Sequence, residues 1–490
     1  MPPGFTASPK FVASVQSLRK IEKIPSMNIA TSRAKPVERL AAFVADLRFE
    51  DIPTDVVAKA KIHIADTLGA ALAGARSAEF GLARKIAGQD GKTRLWGTQA
   101  FASARDAALI NGVAAHAFEL DDAGGCDHSG AVVMPAVLAA VSASEHAVSG
   151  KHLIASVVAG YDVGRRVLEA AGGYDSHNSL GWHSTGTCGT MAAAAAVANL
   201  QGLSRQGCVD AITLATSFSS GLWGFIHDGS QAKKIHAGRA AEGGLLAATL
   251  AAEGFAGPSK VFDDVWGGFF RSFNKSSGEP EKLSEALGES WKVNRAVLKP
   301  YASCRGAHSA VDALEDILQE TQQEPENIIS MHLHLSEMLM GMCGHKGSNS
   351  MAGTQMSLPY ALAARCVFGT AGLDAYTSQC RSDPRVGAFM QRMQLEIDRA
   401  MQPLDEPVLT LIFSDGTRTS RMVPRATGSA ERPMQREAID AKFRQLGGMA
   451  LEDDRVSNLL NVLDTLEQFD DCRRFETLLA GDADNRPTFR

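Results

Sequence analysis

Apolar residues recur three and four positions apart through the first half of the chain, from residue 36 to about residue 257. This spacing places them on one side of a helix, so the pattern predicts a succession of amphipathic helices. Thr54 is a good N-cap for one of them, and Asp55 beside it is placed favourably for the helix dipole. The apolar face of that helix is formed by Val57, Ala60, Ile64, Leu68 and Leu72.

Six further segments repeat the helical pattern and are rich in Ala and Gly: 107–118, 132–148, 152–170, 190–200, 208–217 and 240–253. Small side chains let neighbouring helices approach closely. We therefore predict a tightly packed and largely buried helical bundle in this part of the chain.

The pattern changes near Gly278. Residues 282–287 are predicted to form a last short helix, residues 291–298 to be extended, and residues 308–320 to be helical again. The helical spacing returns after Glu437 and continues towards the C-terminus. We expect this tail to pack back onto the first bundle.

Between these helical parts lie segments with strand character. Residues 327–339 alternate, which is strand periodicity, and the residues on one side are Ile329, Met331, Leu333 and Leu335. Residues 408–413 and 417–423 flank the pair Asp415-Gly416, which suits a type I′ hairpin turn. The pattern as a whole predicts a mainly α fold, in which an all-helical domain (residues 36–288 and 436–490) carries an inserted, smaller α+β domain (residues 289–435).

Residues 1–35 differ from the rest, because they carry six Lys or Arg residues against one acidic residue, Glu22. We predict a basic, disordered extension here. Two other interpretations stay open: a transit peptide, whose composition is also basic and acid-poor, or a start assigned too early, with Met27 as the true first residue.

The 490 residues are enough for two or three domains, and the net charge is -6. An acidic chain has no general attraction to nucleic acid, so an anionic substrate would need a local cluster of positive charge. The longest apolar stretch, residues 191–198, is too short for a membrane span. The eight cysteines form no CxxC pair, which argues against a zinc ribbon, and their scatter fits a cytoplasmic protein. The absence of P-loop and GxGxxG motifs leaves a nucleotide cofactor unsupported.

Polar groups concentrate first between His116 and Gly130, where an apolar helix runs into Glu119, Asp121 and Asp122, and then His128. Carboxylates beside a histidine are the materials of acid–base chemistry. The alternative is that the aspartates only cap helices and form turns. A metal could also bind such a cluster, but the spacing matches no standard ligand set, so we predict no metal.

A second stretch places Ser184, Thr185 and Thr187 at the start of a helix, directly after His183. The free backbone N–H groups of a helix start attract anions, which makes this a candidate binding site for a carboxylate. The alternative is an ordinary hydroxyl cap with a packed Trp-His pair.

A third stretch places Lys233, Lys234, His236 and Arg239 at the start of another helix. Cations oppose the helix dipole there, which favours a site where a carboxylate bridges them. We expect at least one of the two lysines to be solvated instead. A fourth, smaller stretch begins at Lys299, at the start of the second domain. Cys126 and Cys304 lie near these stretches and are predicted to be buried structural thiols.

At these stretches the sequence resembles the MmgE/PrpD family, which includes 2-methylcitrate dehydratase, cis-aconitate decarboxylase and iminodisuccinate epimerase. The resemblance extends from about residue 38 to residue 475. Six motifs in order carry it: Asp66-Thr-Leu-Gly, Asn111-Gly-Val-Ala-Ala-His-Ala-Phe-Glu-Leu-Asp-Asp, His128-Ser-Gly-Ala, Gly181-Trp-His-Ser-Thr-Gly-Thr, Lys233-Lys-Ile-His-Ala-Gly-Arg-Ala-Ala and Lys299-Pro-Tyr-Ala-Ser-Cys-Arg.

The resemblance implies a homodimer without metal or cofactor, and a pocket between the helical and α+β domains. It also implies site residues, because His128, His183, Lys233 and Lys299 fall on positions implicated in decarboxylase-like members. Glu119 stands where such members often have Asp. The decarboxylase pattern further includes a Tyr near Met338, and this chain has none there.

From the resemblance and the clustered polar groups we predict a lyase of the dehydratase type acting on a small di- or tricarboxylate. The alternatives are an epimerase of a dicarboxylate, a cis-aconitate-type decarboxylase, or a paralogue that binds a carboxylate without turnover. The predicted catalytic residues are His128, His183, Glu119, Asp122 and Lys233. The predicted substrate-binding residues are Lys299, Thr185, Ser129, Tyr301 and Arg305.

Overall fold

Helices with buried apolar faces make up most of the first part of the chain in the computed structural model, which describes residues 34–489 except 89, 275–276 and 348–349. Residues 1–33 of the extension predicted at residues 1–35 lie outside the described residues. The helices of this part are α1 Pro36–Asp46, α2 Thr54–Gly74, α3 Ala78–Arg84, α4 Ala104–His116, α5 Ser129–Ala143, α6 Gly150–Ala170, α7 Gly173–Asn178, α8 Ser184–Leu200, α9 Arg205–Ala215, α10 Ala232–Ala252 and α11 Phe269–Phe273. A two-stranded ribbon, β1 Thr93–Arg94 and β2 Phe101–Ala102, precedes α4.

Helix α2 shows how the sequence pattern maps onto the fold. Its predicted apolar face is buried along its whole length. The predicted cap at Thr54 is wrong by one residue, because Thr54 is the first helical residue and Pro53 is the N-cap, without a side-chain hydrogen bond. Proline has no N–H to lose and a fixed φ, so it suits the entrance to a helix.

Small residues bring helix α10 into close contact with α4 and α8. A Cβ atom on Gly112 of α4 would lie 2.7 Å from the Cα atom of Gly238 on α10. A Cβ atom on Gly244 of α10 would lie 2.3 Å from the Cβ atom of Ala193 on α8. The predicted close packing therefore depends on side chains smaller than alanine at the crossings. It also fixes the start of α10 beside the C-terminal end of α4.

The segment after residue 278 differs from its prediction. Residues 282–287 form no α-helix, and a 3-10 turn at Pro280–Leu283 stands there instead. The predicted extended segment 291–298 contains a second 3-10 turn, Lys292–Arg295. The buried guanidinium of Arg166 binds the carbonyl of Ser290, and Asp162 accepts the N–H of Lys292 at 3.0 Å. Side chains of α6 thus form hydrogen bonds with backbone groups that would otherwise pair with a neighbouring strand.

A four-stranded sheet organises the second part of the chain. Its strands, in the spatial order β4, β3, β5, β6, are β3 Ile328–Leu335, β4 Met393–Ile397, β5 Val408–Phe413 and β6 Arg418–Met422. Strand β3 pairs in parallel with β4 and antiparallel with β5. The surrounding helices are α12 His308–Thr321, α13 Glu337–Cys343, α14 Met351–Gln355, α15 Leu358–Phe368, α16 Ser378–Arg381 and α17 Pro384–Gln391.

Two details of the sheet correct the sequence prediction. Ile329 is exposed and does not share the buried side of β3 with Met331, Leu333 and Leu335, because a register shift between Ile328 and Ser330 lets Ile328 take the buried place. The hairpin between β5 and β6 is confirmed. Its turn is not type I′, because Gly416 has a positive φ of 88° and Asp415 does not. The strand β4 was not predicted.

The C-terminal helices are α18 Arg436–Gly447, α19 Asp453–Asp464 and α20 Phe475–Leu478. Phe443 of α18 packs on Gly69 of α2, where a Cβ atom would lie 3.1 Å from its ring. The chain from residue 36 onward forms one compact unit, and the predicted mainly α fold is confirmed. The domain boundaries at residues 288 and 435 stay predictions. Among the described residues, no helix has the length and the apolar character needed to cross a membrane.

Replacing Phe443 with Ala tests the packing of the tail on α2. Phe443 is 3% exposed in the first hydrophobic core. Loss of a buried phenylalanine ring leaves a cavity, so we expect the free energy of unfolding to fall by about 3–5 kcal/mol, measured by urea denaturation. Phe255→Ala removes the same group from a position that is 57% exposed, and it should change the midpoint little. Equal midpoints for the two variants would contradict the packing of the tail.

Candidate active site

A cavity of about 480 Å³ opens between the bundle and the second part of the chain, within the usual size range of small-molecule sites. On the bundle side it is lined by Glu119, Asp127, His128, Arg165, Tyr174 and Lys233. On the opposite side it is lined by Cys304, Arg305, Met338, Met342 and Glu406. Three of the four polar stretches singled out in the sequence therefore contribute residues to the walls of one cavity.

Glu119 lies at the centre of a buried cluster of cations. Its carboxylate accepts hydrogen bonds from Nζ of Lys233 at 2.7 Å, of Lys234 at 2.6 Å and of Lys299 at 3.2 Å. All four side chains are at most 3% exposed. The expectation that one of Lys233 and Lys234 is solvated is wrong, because both ammonium groups converge on this carboxylate. We call these four residues the Glu119 cluster.

Three features of the backbone bring the Glu119 cluster together. Glu119 follows the end of α4 and has a left-handed φ of 55°, which turns the chain sharply. The two lysines stand in the first turn of α10, which packs beside α4. Lys299 is delivered by a short antiparallel pairing, in which Ala123 and Val297 exchange backbone hydrogen bonds of 3.1 and 2.8 Å.

The electrostatics of the cluster follow from burial and charge pairing. Burial alone would raise the pKa of Glu119, but the three lysines outweigh it and hold that pKa well below its usual range. Burial lowers the pKa of Lys234. For Lys233 the effect of burial is outweighed by Glu119, and its pKa is raised. The cluster holds three amines around one carboxylate, and Lys233 is the amine that lines the cavity.

His128 stands at the cavity wall as the N-cap of α5. Its Nδ1–H donates to the backbone carbonyl of Asp122 at 2.8 Å and lies 3.1 Å from Oδ2 of Asp121. Burial alone would lower the pKa of His128, but Asp127 and Asp121 outweigh it and raise that pKa above its ordinary value. The ring is thus a candidate proton donor facing the cavity.

Two more histidines lie directly behind His128. His116 donates from Nδ1 to Oδ2 of Asp121 at 3.0 Å, and His183 contacts His236 through Nδ1 at 3.0 Å. Burial lowers the pKa of each of these two rings to about 3. His183 is held in place by backbone pairing of residues 181–183 with residues 221–223. Both rings are fully buried, so His183 reaches the cavity only through its neighbours.

Asp122 was predicted to be catalytic, but the structure places it away from the cavity wall. Its Oδ1 accepts the N–H of Gly130 at 2.9 Å, and its Oδ2 accepts the hydroxyl of Tyr161 at 2.6 Å. His63 lies 3.1 Å from the same oxygen. With both oxygens engaged in the interior, Asp122 anchors the start of α5, and hence His128, as a positioning residue.

The five predicted substrate-binding residues have different locations, and one of them, Arg305, lines the cavity, paired with Glu406 at 2.6 Å. Lys299 lies behind the cavity wall, where its ammonium group contacts the carboxylate of Glu119. Thr185 is buried between the ring of His183 and the backbone N–H of His128. Its neighbours at the start of α8 are also buried and bonded within the protein, so this helix start does not face the cavity.

Ser129 and Tyr301 face other parts of the interior. The hydroxyl of Ser129 accepts the N–H of Cys126 at 2.9 Å. The hydroxyl of Tyr301 donates to Asp312 at 2.7 Å, on the far side of the turn that follows Lys299. Neither residue lines the cavity. They were predicted to bind substrate because they lie close to Lys299 and His128 in the sequence. Their side chains, however, point away from the cavity wall.

Asp127 and Tyr174 are among the residues of the wall that sequence reasoning missed. Asp127 has a positive φ of 113°, and its Oδ2 lies 3.7 Å from Nε2 of His128 and 3.5 Å from Nε2 of His183. Burial opposes the charge of Asp127, but His128 and His183 outweigh it and lower its pKa. Its position directly before His128, in a Gly-rich turn, was the available signal. No signal in the sequence pattern pointed to Tyr174.

Models of the MmgE/PrpD N-terminal and C-terminal domains match residues 38–281 and 301–468. The chain belongs to the MmgE/PrpD family. It is 29% identical over 486 residues to a cis-aconitate decarboxylase-like protein, oryM, of Aspergillus oryzae, which covers 92% of this chain and 99% of the relative. It is 29% identical over 480 residues to the cis-aconitate decarboxylase of Aspergillus terreus, covering 92% and 97%. The human cis-aconitate decarboxylase is 24% identical over 462 residues, covering 91% and 94%.

Replacing Glu119 with Gln tests the Glu119 cluster. Three buried amines then lack their carboxylate, so we expect the free energy of unfolding to fall by about 3–5 kcal/mol in urea denaturation. Added citrate should stabilise this variant more than the wild type, because it supplies the missing negative charge. Glu281→Gln removes a carboxylate that is 80% exposed in its pair with Arg39, and it should leave the midpoint unchanged. Equal stability of wild type and Glu119→Gln would show that the cluster is not formed.

Proposed function

We propose that this chain is a carboxy-lyase that removes CO₂ from cis-aconitate or a closely similar unsaturated tricarboxylate. One observation carries the proposal: the ammonium of Lys233 and the imidazole of His128 face the same cavity. Lys233 can bind a substrate carboxylate, and His128 can supply a proton. The relatives that align along nearly the whole chain carry the name of this activity.

The reaction needs both groups. The bond between a carboxylate and its carbon breaks, CO₂ leaves, and the electron pair stays on carbon, where the neighbouring double bond and carboxylate delocalise it. One proton then adds to carbon, so that a trianion and a proton give CO₂ and an unsaturated dicarboxylate dianion. Fixed cations beside the remaining carboxylates stabilise the negative charge that develops in the transition state.

The residues divide into groups that contact the substrate and groups that position them. Lys233 and Arg305 bind carboxylates, and His128 donates the proton. Asp121 and Asp127 favour the protonated ring of His128, which suits a donor at neutral pH. Lys299 acts through Glu119, and His183 acts through Asp127, since neither faces the cavity.

A second candidate is the dehydratase that ranked first on the sequence, and a third is an epimerase. Both reactions also develop negative charge on carbon beside a carboxylate, so the same cations and the same histidine serve them. The names of the relatives favour the decarboxylase. Independence from cofactors, a homodimeric state and a cytoplasmic location stay predictions.

The missing Tyr near Met338 bears on this choice. The segment is helix α13, and its side chains Met338 and Met342 line the cavity. The hydroxyl of Tyr174, from α7, lies 4.0 Å from Sδ of Met342. Burial raises the pKa of Tyr174, so its phenol stays protonated and can donate a hydrogen bond. We propose that Tyr174 provides the phenol that α13 lacks.

Assays of two variants test the reaction. We expect wild type to release CO₂ from cis-aconitate, and His128→Ala and Lys233→Ala to lower kcat/KM by about 10²–10⁴-fold, as loss of a general acid or a charge-stabilising group does. His146→Ala and Lys151→Ala, both at exposed positions, are the matched controls and should keep full activity. CO₂ release and product NMR are the measurements, with thermal unfolding as the check on folding.

The substrate panel separates the candidates. Loss or addition of water without CO₂ points to the dehydratase, and uptake of solvent deuterium without either points to the epimerase. Ligand-induced stabilisation without any turnover points to a non-catalytic binding protein. Full activity of correctly folded His128→Ala would overturn the assignment of the proton donor.

Tyr174→Phe and Tyr301→Phe form a matched pair that tests which tyrosine serves the cavity. A hydrogen bond to a charged group contributes about 1.5–3 kcal/mol, so Tyr174→Phe should lower kcat/KM with cis-aconitate by roughly tenfold or more. Tyr301→Phe should change it less than twofold, because Tyr301 faces Asp312. The opposite order of effects would restore Tyr301 as the substrate-binding residue.

A further inference from the structure

His116, His128 and His183 are buried side by side, and each offers a ring nitrogen within 4.8 Å of those of the others. They come from three separate places: the end of α4, the start of α5 and the start of α8. Neutral imidazole is a common ligand of divalent transition metals. Three imidazoles at this separation are a candidate metal site, provided that their nitrogens are free to bind an ion.

The hydrogen bonds at Nδ1 orient the rings of His116 and His128 in one sense. In His128 the partner of Nδ1 is a backbone carbonyl, which only accepts, so Nδ1 carries the proton. In His116 the partner is the carboxylate of Asp121. In His183 it is the ring of His236. A histidine that donates from Nδ1 presents the lone pair of Nε2 to a metal, and such donation to a carboxylate or carbonyl typically supports metal ligands.

The Nε2 atoms have weak or no partners in the described part of the protein. Nε2 of His116 is fully buried and has no hydrogen-bond partner there. Nε2 of His183 lies 3.2 Å from the hydroxyl of Thr185 and 3.5 Å from Oδ2 of Asp127. Nε2 of His128 lies 3.7 Å from Oδ2 of Asp127, beyond hydrogen-bond distance. A buried nitrogen without a partner is costly, and a metal ion would satisfy it.

Asp127 completes the set of ligands. Its Oδ2 lies between two of the rings, 3.5 Å from Nε2 of His183 and 3.7 Å from Nε2 of His128. With zinc–ligand bonds of 2.0–2.1 Å, the donors of a tetrahedral zinc ion lie about 3.3 Å apart. The three ring nitrogens, which lie within 4.8 Å of one another, therefore need to converge by up to about 1.5 Å to enclose an ion.

We propose that His116, His128, His183 and Asp127 bind Zn²⁺ or a similar divalent transition metal ion, and that the bound ion blocks proton transfer. The binding stands on these residues alone. The blocking rests on the proposed function, because an ion on Nε2 of His128 leaves no proton there to donate. The metal is thus an inhibitor of the enzyme.

The charged groups around the proposed site and its access from the cavity are compatible with a divalent metal ion. Asp121 and Asp127 together balance a dication, whereas the lysines of the Glu119 cluster, whose carboxylate lies 3.9 Å from Nε2 of His116, oppose it. The ion can enter from the cavity, where Asp127 and His128 are 11% and 5% exposed in their side chains. Mg²⁺ should not compete, because it prefers six oxygen ligands and keeps its water.

Titration calorimetry of the untagged full-length protein, stripped with EDTA and desalted, tests the binding with ZnCl₂. We expect one saturable Zn²⁺ per chain and no saturable heat with MgCl₂. X-ray absorption at the zinc edge should show four nitrogen or oxygen ligands at about 2.0 Å. His146→Ala, at an exposed histidine, is the matched control and should bind as the wild type does.

Three variants locate the site. His116→Ala and Asp127→Asn each remove one ligand, and we expect the dissociation constant to rise at least tenfold. Asp121→Asn removes the support of His116, and it should weaken binding by about 10–100-fold. Asp127→Asn keeps the size of the side chain, so it remains informative if His116→Ala fails to fold. Unchanged affinity in Asp127→Asn, or no saturable binding in wild type, would overturn the metal site.

Activity is measured separately, so that the two proposals can fail separately. At saturating ZnCl₂ we expect CO₂ release from cis-aconitate to fall at least tenfold, and EDTA to restore it. Stoichiometric zinc binding with unchanged or increased turnover would overturn the proposed inhibition, but the proposed metal site would stand. Zinc binding to a protein that turns over no carboxylate would overturn the proposed function, and the proposed metal site would again stand.

Discussion

The contact between the carboxylate of Glu119 and three buried lysines is the interaction on which the rest of the site depends. It joins the end of α4, the start of α10 and the segment that leads into the second part of the chain. One of these lysines also contacts the second part of the chain, because Nζ of Lys234 lies 3.3 Å from the side chain of Gln355. A single buried anion thus fixes the relative position of both walls.

Such a cluster is costly to bury. Each ion loses its water, and mutual attraction offsets this loss only when every charge is well paired. Three amines around one carboxylate do not balance, and the remaining positive charge is directed at the cavity through Lys233. The excess gives an acidic protein a local attraction for anions that its net charge of -6 does not provide. The helix dipole at the start of α10 adds to it, since the first turn of a helix is also positive.

The sequence allowed most helices of the bundle and the β5–β6 hairpin to be predicted, because each follows from local spacing, and the local charge at the start of α10 favoured a carboxylate bridge between the lysines. The partner of that bridge could not be predicted, since Glu119 reaches the lysines only through its left-handed backbone. Asp122 and Tyr301 were placed at the site by proximity in sequence, and their side chains turn towards Tyr161 and Asp312 instead. Strand β4 is short and largely exposed, so its pattern is too weak to recognise. The three histidines gave no ligand spacing, because three helix ends supply them.

Backbone strain and charge support one another in the turn between α4 and α5. Of four non-glycine residues with positive φ in the described chain, two are the carboxylates at the cavity, Glu119 and Asp127. Such a conformation costs about 1–3 kcal/mol per residue and persists only where its surroundings enforce it. Glu119 is held by lysines, and Asp127 lies against histidines. The contacts that hold Glu119 therefore also hold the turn that carries His128. The Glu119 cluster and the ring of His128 are thus joined through the eight residues of backbone between Glu119 and His128.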